Sequence, residues 1–168
     1  MFKVLSNLPQ FPEHCIRESY TAKYTQAYSP DQLRAFSSFN NTKFVKVIQE
    51  RFGVRGGLYM KNLPMSYYDW HIDLGRKCSL NWVLQNNAGK AFYRENINPS
   101  IGSKSITFNL TQVEYILYKP TLLDVTKHHC VINDTQEERV IFSMSIDAPF
   151  ADVNDYLSNL QITDYESC

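Results

Sequence analysis

Hydrophobic positions follow a helical period in part of the first third of the chain. Phe44, Val47, Ile48 and Phe52 recur at intervals of three and four residues, and Gly53 follows them directly. This spacing places the four side chains on one face of a helix, and glycine is the residue that most readily ends one. The segment "NTKFVKVIQERFG" therefore predicts an amphipathic helix that covers a sheet.

A second helix is predicted just before it, over about residues 30–38. In "SPDQLRAFSSF", Ser29 can serve as the N-cap, Pro30 takes the first helical position and Gln32 follows the cap by three residues. Together these residues form a capping-box pattern. We therefore expect residues 1–55 to form a helical front that packs on the rest of the domain.

From Gly56 onward the hydrophobic pattern changes to that of strands. Short segments rich in Tyr, Phe, Ile, Val and Thr are separated by turn sequences such as "KNLP", "QNNAGK", "NPSIGSKS" and "NDTQEE". Seven or eight strands fit between residues 57 and 147, at the spacing typical of an antiparallel sandwich or barrel. After this β core (residues 56–147), "FADVNDYLSNL" predicts a short helix in the tail, residues 148–168.

Length and charge favour a single domain, 1–168, that binds neither nucleic acid nor membranes. The 17 basic residues equal the 17 acidic ones, so no basic field attracts nucleic acid. No apolar stretch approaches the roughly 18 residues that a membrane helix needs, and the first residues do not read as a signal peptide. We therefore expect a cytoplasmic protein. The four cysteines show no C-x-x-C spacing and are expected to be reduced thiols: Cys15, Cys78, Cys130 and Cys168.

Candidate chemistry begins with "WHID", in which His71 and Asp73 are two residues apart. On a strand, residues i and i+2 point to the same face, so both side chains can converge inside a barrel. The pair alone reads equally well as a structural hydrogen bond. A third ligand could come from His128 or His129, which lie between two predicted strands. Two histidines and one carboxylate that leave coordination positions open suit non-haem Fe(II).

Arg139 stands ten residues beyond His129, at the head of a predicted strand. If the odd-numbered residues of that strand face inward, its guanidinium group lies inside the barrel with Ile141 and Ser143 on the same face. A buried guanidinium group is costly without a partner, and its fork of donors matches a carboxylate. Such a position predicts an anionic ligand.

The order of these residues resembles the Fe(II)- and 2-oxoglutarate-dependent dioxygenases. "LYMKNLPMSYYDWHID" is similar to the strands that lead into the family's His-x-Asp, and "PTLLDVTKHHCVINDTQEERVIFSMSI" to its closing strands. The resemblance spans residues 56–147 and selects His129, which is followed by a small residue and a valine. It implies a mainly β fold with flanking helices, a double-stranded β-helix of the jelly-roll or cupin-like kind.

By this resemblance His71, Asp73 and His129 would hold iron, and Arg139 would bind the distal carboxylate of 2-oxoglutarate. Tyr59 matches a position from which family members often add a hydroxyl to that carboxylate. Asn81 is a further candidate for a co-substrate contact. Many members carry serine two residues after the arginine, where this chain has Ile141, so Ser143 or Tyr59 would have to replace that contact.

The implied activity is hydroxylation of a C–H bond, or demethylation, with O₂ consumed and 2-oxoglutarate converted to succinate and CO₂. The substrate would be a protein side chain, an amino acid or another small metabolite. Alternatives from other classes are a non-catalytic binding or structural barrel and a barrel with a different metal and no 2-oxoglutarate. The region "NNAGKAFYRENINPSIGSKS" is expected to contribute to specificity. Near the metal site, Arg76, Tyr67, Tyr68 and Trp70 are secondary candidates for substrate contacts.

Overall fold

The computed structural model describes residues 1–96 and 108–166. Within these ranges the chain forms three α-helices, one 3₁₀ helix (Ser38–Asn41) and eleven β-strands. The helices are α1 Glu13–Thr21, α2 Lys43–Phe52 and α3 Phe150–Asn159. The strands are β1 Phe2–Val4, β2 Thr25–Gln26, β3 Gln32–Phe36, β4 Gly57–Asn62, β5 Ser66–His71, β6 Cys78–Gln85, β7 Lys90–Asn96, β8 Phe108–Gln112, β9 Pro120–Asp124, β10 His129–Asn133 and β11 Arg139–Ile146.

The strands form two antiparallel sheets. The larger sheet has seven strands in the order β1-β9-β6-β11-β4-β3-β2, and the smaller has four in the order β5-β10-β7-β8. Side chains from both sheets line one internal cavity, so the sheets face each other across it. The eight strands from β4 to β11 agree with the seven or eight expected between residues 57 and 147.

The two central strands of the larger sheet separate an apolar face from a polar one. In β11 the even-numbered residues from Val140 to Ile146 pack in the main core, whereas Arg139, Ile141 and Ser143 line the cavity. β6 shows the same separation between its even-numbered and odd-numbered residues. The alternation follows from the period of two along a strand. It places the helices on one side of the sheet and the cavity on the other.

Aromatic rings dominate the core between the helices and the larger sheet. Phe39 lies at their centre and makes ring contacts with Phe44, Trp82, Phe142 and Tyr165 at centroid distances of 5.1–6.3 Å. All five side chains are at most 1% exposed. Burial of each large side chain is worth roughly 1.5–3 kcal/mol. This cluster therefore anchors the helix layer on β6 and β11.

The predicted helix from the "NTKFVKVIQERFG" segment is confirmed as α2. Thr42 caps its start, since its side-chain oxygen accepts a hydrogen bond from the Val45 amide at 3.4 Å. Gly53 ends it in the left-handed conformation at φ 67°, which a side chain would disfavour. The short helix predicted from "FADVNDYLSNL" is confirmed as α3.

The helix predicted over residues 30–38 is wrong. Gln32–Phe36 form β3, which pairs with β4 along its whole length. The sequence QLRAF also fits a period of two, because Ala35 packs in the main core while Gln32 lines the cavity on the other face. Pairing with β4 satisfies the backbone and overrides the local capping pattern.

Residues 1–55 are therefore not simply a helical front. They contribute α1 and α2, but also three strands of the larger sheet: β1 pairs with β9, and β2 and β3 extend the sheet beyond β4. Among the described cysteines, Cys15, Cys78 and Cys130 are buried and free, as expected; Cys168 lies outside the described residues. No described helix combines the length and apolarity required to cross a bilayer.

Gly57 is needed where β4 approaches Phe142. A Cβ atom built on Gly57 would lie 2.1 Å from the Phe142 ring, which is held by the aromatic core. We expect Gly57→Ala to lower the free energy of unfolding by about 1–3 kcal/mol through overpacking. Denaturant unfolding followed by Trp fluorescence would measure the change. An unchanged free energy of unfolding in Gly57→Ala would contradict the packing argument.

Candidate metal centre

Two histidines meet where the paired strands β5 and β10 bring them opposite each other. His71 is the last residue of β5, His129 is the first residue of β10, and the two are partners in the antiparallel register. Their ring centroids are 4.2 Å apart. The register shifts between His129 and Val131, so the histidines sit beside an irregularity that locally bends the strand.

Asp73 completes the set from just beyond the strand. Its backbone amide donates to the carbonyl of Val125 at 3.0 Å, which fixes the loop against the end of β9. Asp73 Oδ1 lies 3.6 Å from His71 Nε2, and Oδ2 lies 3.9 Å from His129 Nε2. Donor atoms that share one cation at about 2.1 Å must lie within about 4.2 Å of each other, so both distances fit a single metal ion. The three residues thus form a potential metal-binding group.

Backbone carbonyl groups orient both imidazole rings. Nδ1 of His71 lies 2.5 Å from the carbonyl oxygen of Asp69, and Nδ1 of His129 lies 2.9 Å from that of Lys127. A carbonyl oxygen only accepts, so each Nδ1 carries a proton, and in the neutral imidazole each Nε2 is then the atom with a lone pair for a metal. This outer contact is the one that metal-binding histidines usually make.

The surroundings of His129 favour its neutral form. Burial lowers the pKa of His129, and the neighbouring His71 lowers it further. A neutral imidazole is the form that binds a metal. His128, the alternative that the sequence left open, is exposed and its carbonyl accepts a hydrogen bond from the Arg94 amide. The geometry therefore brings His129, and not His128, to His71 and Asp73.

Arg139 lies in the same cavity and is only 1% exposed. Its guanidinium carbon lies 5.2 Å from the centre of the Tyr115 ring. Among the described residues, its Nε and Nη2 atoms have no hydrogen-bond partner. Burial lowers the pKa of Arg139, but an arginine stays protonated in proteins. A buried cation with unused donors is the feature expected of a site for an anion.

Gly89 makes room for this arginine. A Cβ atom at position 89 would lie 2.2 Å from Arg139 Cδ and 2.8 Å from its Nε. The side chain of Arg139 therefore runs directly over the backbone of the turn before β7. A residue larger than glycine there would displace the guanidinium group from its position.

A polar wall lies between the metal-binding group and Arg139. Asn81 and Ser143 both line the cavity, as their predicted roles require. Ser79 Oγ donates to Asn81 Oδ1 at 2.6 Å and lies 2.9 Å from Ser143 Oγ. Arg76 joins this wall from the loop after Asp73, and its Nη1 lies 3.0 Å from Ser145 Oγ. The predicted candidates Asn81 and Ser143 are thus within the site, and their contact with a co-substrate stays a prediction.

Tyr59 does not lie in the cavity, and the prediction that it contacts a co-substrate is corrected. It is opposite Phe142 in the register and is buried in the main core on the helix side of the sheet. Its hydroxyl lies 2.6 Å from Glu18 Oε2 and 2.8 Å from the carbonyl oxygen of Cys15. The residue ties α1 to β4, and its side chain points away from Arg139.

The aromatic residues before the metal-binding group have different surroundings. Tyr68 lines the cavity, and its ring lies 4.2 Å from that of His71 in an edge-to-face arrangement. Tyr67 is 48% exposed, and Trp70 lies under the guanidinium group of Arg94 at 5.1 Å. Of the three, only Tyr68 is placed among the described residues that line the cavity.

Sequence reasoning missed two amide side chains beside Arg139. Asn62 pairs with Arg139 across β4 and β11, and Gln32 pairs with Asn62 across β3 and β4. Both line the cavity and are less than 10% exposed, and Gln32 Oε1 has no hydrogen-bond partner among the described residues. Only the alternation within QLRAF could have indicated Gln32, because the local sequence also fits a helix.

No known protein-family model and no curated protein matches this sequence. Solved structures do match. One is HygX from Streptomyces hygroscopicus with nickel, 2-oxoglutarate and hygromycin B bound (TM-score 0.56, 12% identity, 86% of this chain and 82% of that chain). Another is the non-heme alpha-ketoglutarate-dependent epimerase SnoN from nogalamycin biosynthesis (TM-score 0.52, 11% identity, 96% and 85%). At these identities the similarity shows the fold alone, and it confirms a mainly β double-stranded β-helix with flanking helices.

The metal-binding group can be tested with two adjacent histidines. We expect His129→Ala to weaken binding of Ni(II) at least about 100-fold, since even a group that only orients a ligand contributes about 10- to 100-fold. His128→Ala is the matched control and should bind Ni(II) as the unmodified protein does, because its side chain is exposed. Calorimetric titration of the metal-free protein measures both. Equal effects at the two positions would exclude the proposed ligand set.

Tyr59 should affect stability and not ligand binding. Burial alone would raise the pKa of Glu18, but hydrogen bonds from Tyr59 and Ser38 hold that pKa below its usual value. We expect Tyr59→Phe to reduce the free energy of unfolding by about 1–2 kcal/mol at neutral pH. The loss should shrink as the pH falls through the pKa of Glu18, because the carboxylate then becomes protonated. Denaturant unfolding at several pH values measures this. A weakened affinity for 2-oxoglutarate with unchanged stability would contradict this assignment.

Proposed function

We propose that this protein is an Fe(II)- and 2-oxoglutarate-dependent oxygenase, which hydroxylates or demethylates a C–H bond and releases succinate and CO₂. The observation that carries the proposal is the position of Arg139. A buried guanidinium group with unused donors shares one cavity with two histidines and a carboxylate arranged around a common point. A metal site alone would not require that arginine, and an anion site alone would not require the three ligands.

The donor set fits Fe(II). His71, Asp73 and His129 supply two imidazole nitrogens and one carboxylate, the combination that leaves positions free for further ligands in non-haem iron oxygenases. When bound, the iron would supply the activation of O₂ and the oxidation of a C–H bond. The protein contributes the orientation of both rings through Asp69 and Lys127, and a cavity that is walled by side chains of both sheets.

Arg139 is proposed to bind the distal carboxylate of 2-oxoglutarate. Its Nε and Nη2 can donate to the two carboxylate oxygens as a fork. Tyr59 cannot assist, and Ile141 stands where a serine would be expected. The amides of Asn62 and Gln32 lie next to Arg139 in the sheet and can donate to the same carboxylate. Asn81 and Ser143, nearer to Arg76, are proposed to contact the other end of the co-substrate.

The substrate is proposed to be a small molecule, an amino acid or a protein side chain. HygX is solved with a small molecule, hygromycin B, and SnoN comes from a biosynthetic route to another, which favours the small-molecule class. Tyr28 lines the cavity while 69% of its surface is exposed, so it marks the opening through which a substrate enters. With equal numbers of acidic and basic residues, the chain carries no net charge that would attract nucleic acid.

The first test is the binding of 2-oxoglutarate to the iron-loaded protein without O₂. We expect a weak visible charge-transfer band that saturates with 2-oxoglutarate, and succinate when O₂ is admitted. Arg139→Gln should raise the concentration for half-saturation at least about tenfold, the usual effect of losing a charge-assisted hydrogen bond. The exposed Arg55→Gln is the matched control and should leave that concentration unchanged.

Two results would contradict the proposal. One is the absence of both the band and succinate in protein that is shown to contain iron. The other is equal saturation of the unmodified protein and Arg139→Gln, which would mean that the anion site belongs to a different ligand. A stoichiometric metal without 2-oxoglutarate binding would indicate a binding or structural barrel.

A further inference from the structure

A second arginine of the cavity, Arg76, contacts a member of the metal-binding group directly. Its Nε and Nη2 lie 2.8 Å and 2.6 Å from the same oxygen, Oδ2 of Asp73. Its Nη1 lies 3.0 Å from Ser145 Oγ on β11. The guanidinium group is therefore held between the loop that carries Asp73 and the larger sheet. This position differs from that of Arg139, two of whose nitrogens have no partner among the described residues.

Arg76 and a bound metal ion must share Asp73. Oδ2, which accepts a hydrogen bond from Arg76 Nε and forms an ion pair with its Nη2, also lies 3.9 Å from His129 Nε2. Oδ1 faces His71 Nε2 at 3.6 Å. A cation placed among the three ligands would therefore lie close to a guanidinium group, and the two like charges repel.

A second guanidinium group that lines the cavity adds to this repulsion between a metal ion and Arg76. Among the described lining residues, Asp73 is the only carboxylate, and Arg76 and Arg139 are the two guanidinium groups. With neutral histidines the cavity thus has a net charge of one positive before any ligand binds. A divalent cation raises this to three positive charges, and a dicarboxylate such as 2-oxoglutarate returns it to one. In a walled cavity such charges interact more strongly than they do in water.

We propose that Arg76 opposes a metal ion and favours an anionic co-substrate: its charge weakens the affinity for a divalent cation and strengthens the affinity for a dianion in the same cavity. This inference rests on the proposed function, since it requires a dicarboxylate in the same cavity. Arg76 is a positioning residue that acts through Asp73 and through its own charge. The coupling must be reciprocal, so the metal should increase the affinity for the dianion by the same factor.

Binding of Mn(II) to the metal-free protein tests the inference without any turnover. Calorimetric titrations of Mn(II), with and without saturating 2-oxoglutarate, and of 2-oxoglutarate alone would be made on the unmodified protein, Arg76→Gln, Arg76→Lys and the control Lys77→Gln. Lys77 is a neighbouring cation whose side chain is 52% exposed and which pairs with Asp147. Circular dichroism and thermal unfolding would verify that each variant is folded.

We expect 2-oxoglutarate to tighten Mn(II) binding at least about tenfold in the unmodified protein, since coupling free energies of this size are usual. Arg76→Gln should bind Mn(II) alone about tenfold more tightly, because the repulsive charge is removed. Its affinity for 2-oxoglutarate alone should fall at least about threefold, because an attractive charge is lost. Arg76→Lys keeps the charge and should resemble the unmodified protein, as should Lys77→Gln.

The competing role for Arg76 is to orient Asp73 through its hydrogen bond and ion pair, and it predicts the opposite change in Mn(II) affinity. In that case both Arg76→Gln and Arg76→Lys would bind Mn(II) alone more weakly than the unmodified protein does. Equal or weaker binding of Mn(II) by Arg76→Gln, or undiminished binding of 2-oxoglutarate by that variant, would overturn the inference. Failure of the proposed function is distinguishable, because 2-oxoglutarate would then leave Mn(II) affinity unchanged in the unmodified protein and in every variant.

Discussion

Everything in this structure depends on the separation of two faces along β6 and β11. The even-numbered residues of β11, Phe142 among them, pack in the aromatic core. The odd-numbered residues face the cavity and can therefore be polar without weakening that core. A shift of register by one residue would move Arg139 and Ser143 into the core and Phe142 into the cavity. The packing of Phe142 against Trp82 and Phe39 therefore also fixes where the candidate site lies.

The buried charge of Arg139 is hard to explain without a ligand. A protein is stabilised by only about 5–15 kcal/mol, and an unpaired buried charge costs several kcal/mol of that. Asp73, the one carboxylate among the described residues that line the cavity, is already paired with Arg76. Tyr115 lies beside the guanidinium group and is also a hydrogen-bond partner of it, which offsets part of the cost but leaves Nε and Nη2 without a partner among the described residues. The donors at its edge are left for an anion.

Part of the site could be predicted because strand periodicity fixes side-chain direction. The inward position of Arg139 and the convergence of His71 with Asp73 follow from a period of two, although Asp73 lies just beyond the strand. Tyr59 was misplaced because its direction depends on the register between β4 and β11, which no local pattern specifies. The helix expected over residues 30–38 is wrong for a related reason. The five residues of β3 fit both the helical period of 3.6 and the strand period of two, and only the pairing with β4 decides between them.

The two arginines of the cavity differ in whether the protein supplies partners for their donors. Arg76 spends its donors on Asp73 and on Ser145, so the protein itself satisfies that cation. Arg139 keeps Nε and Nη2 free of described partners, so these two donors are available to an anion. Because both charges face the same cavity, a metal ion entering alone meets repulsion from each of them. An anion that reaches Arg139 removes part of this repulsion, and the cavity is therefore better suited to a cation and an anion together than to either one.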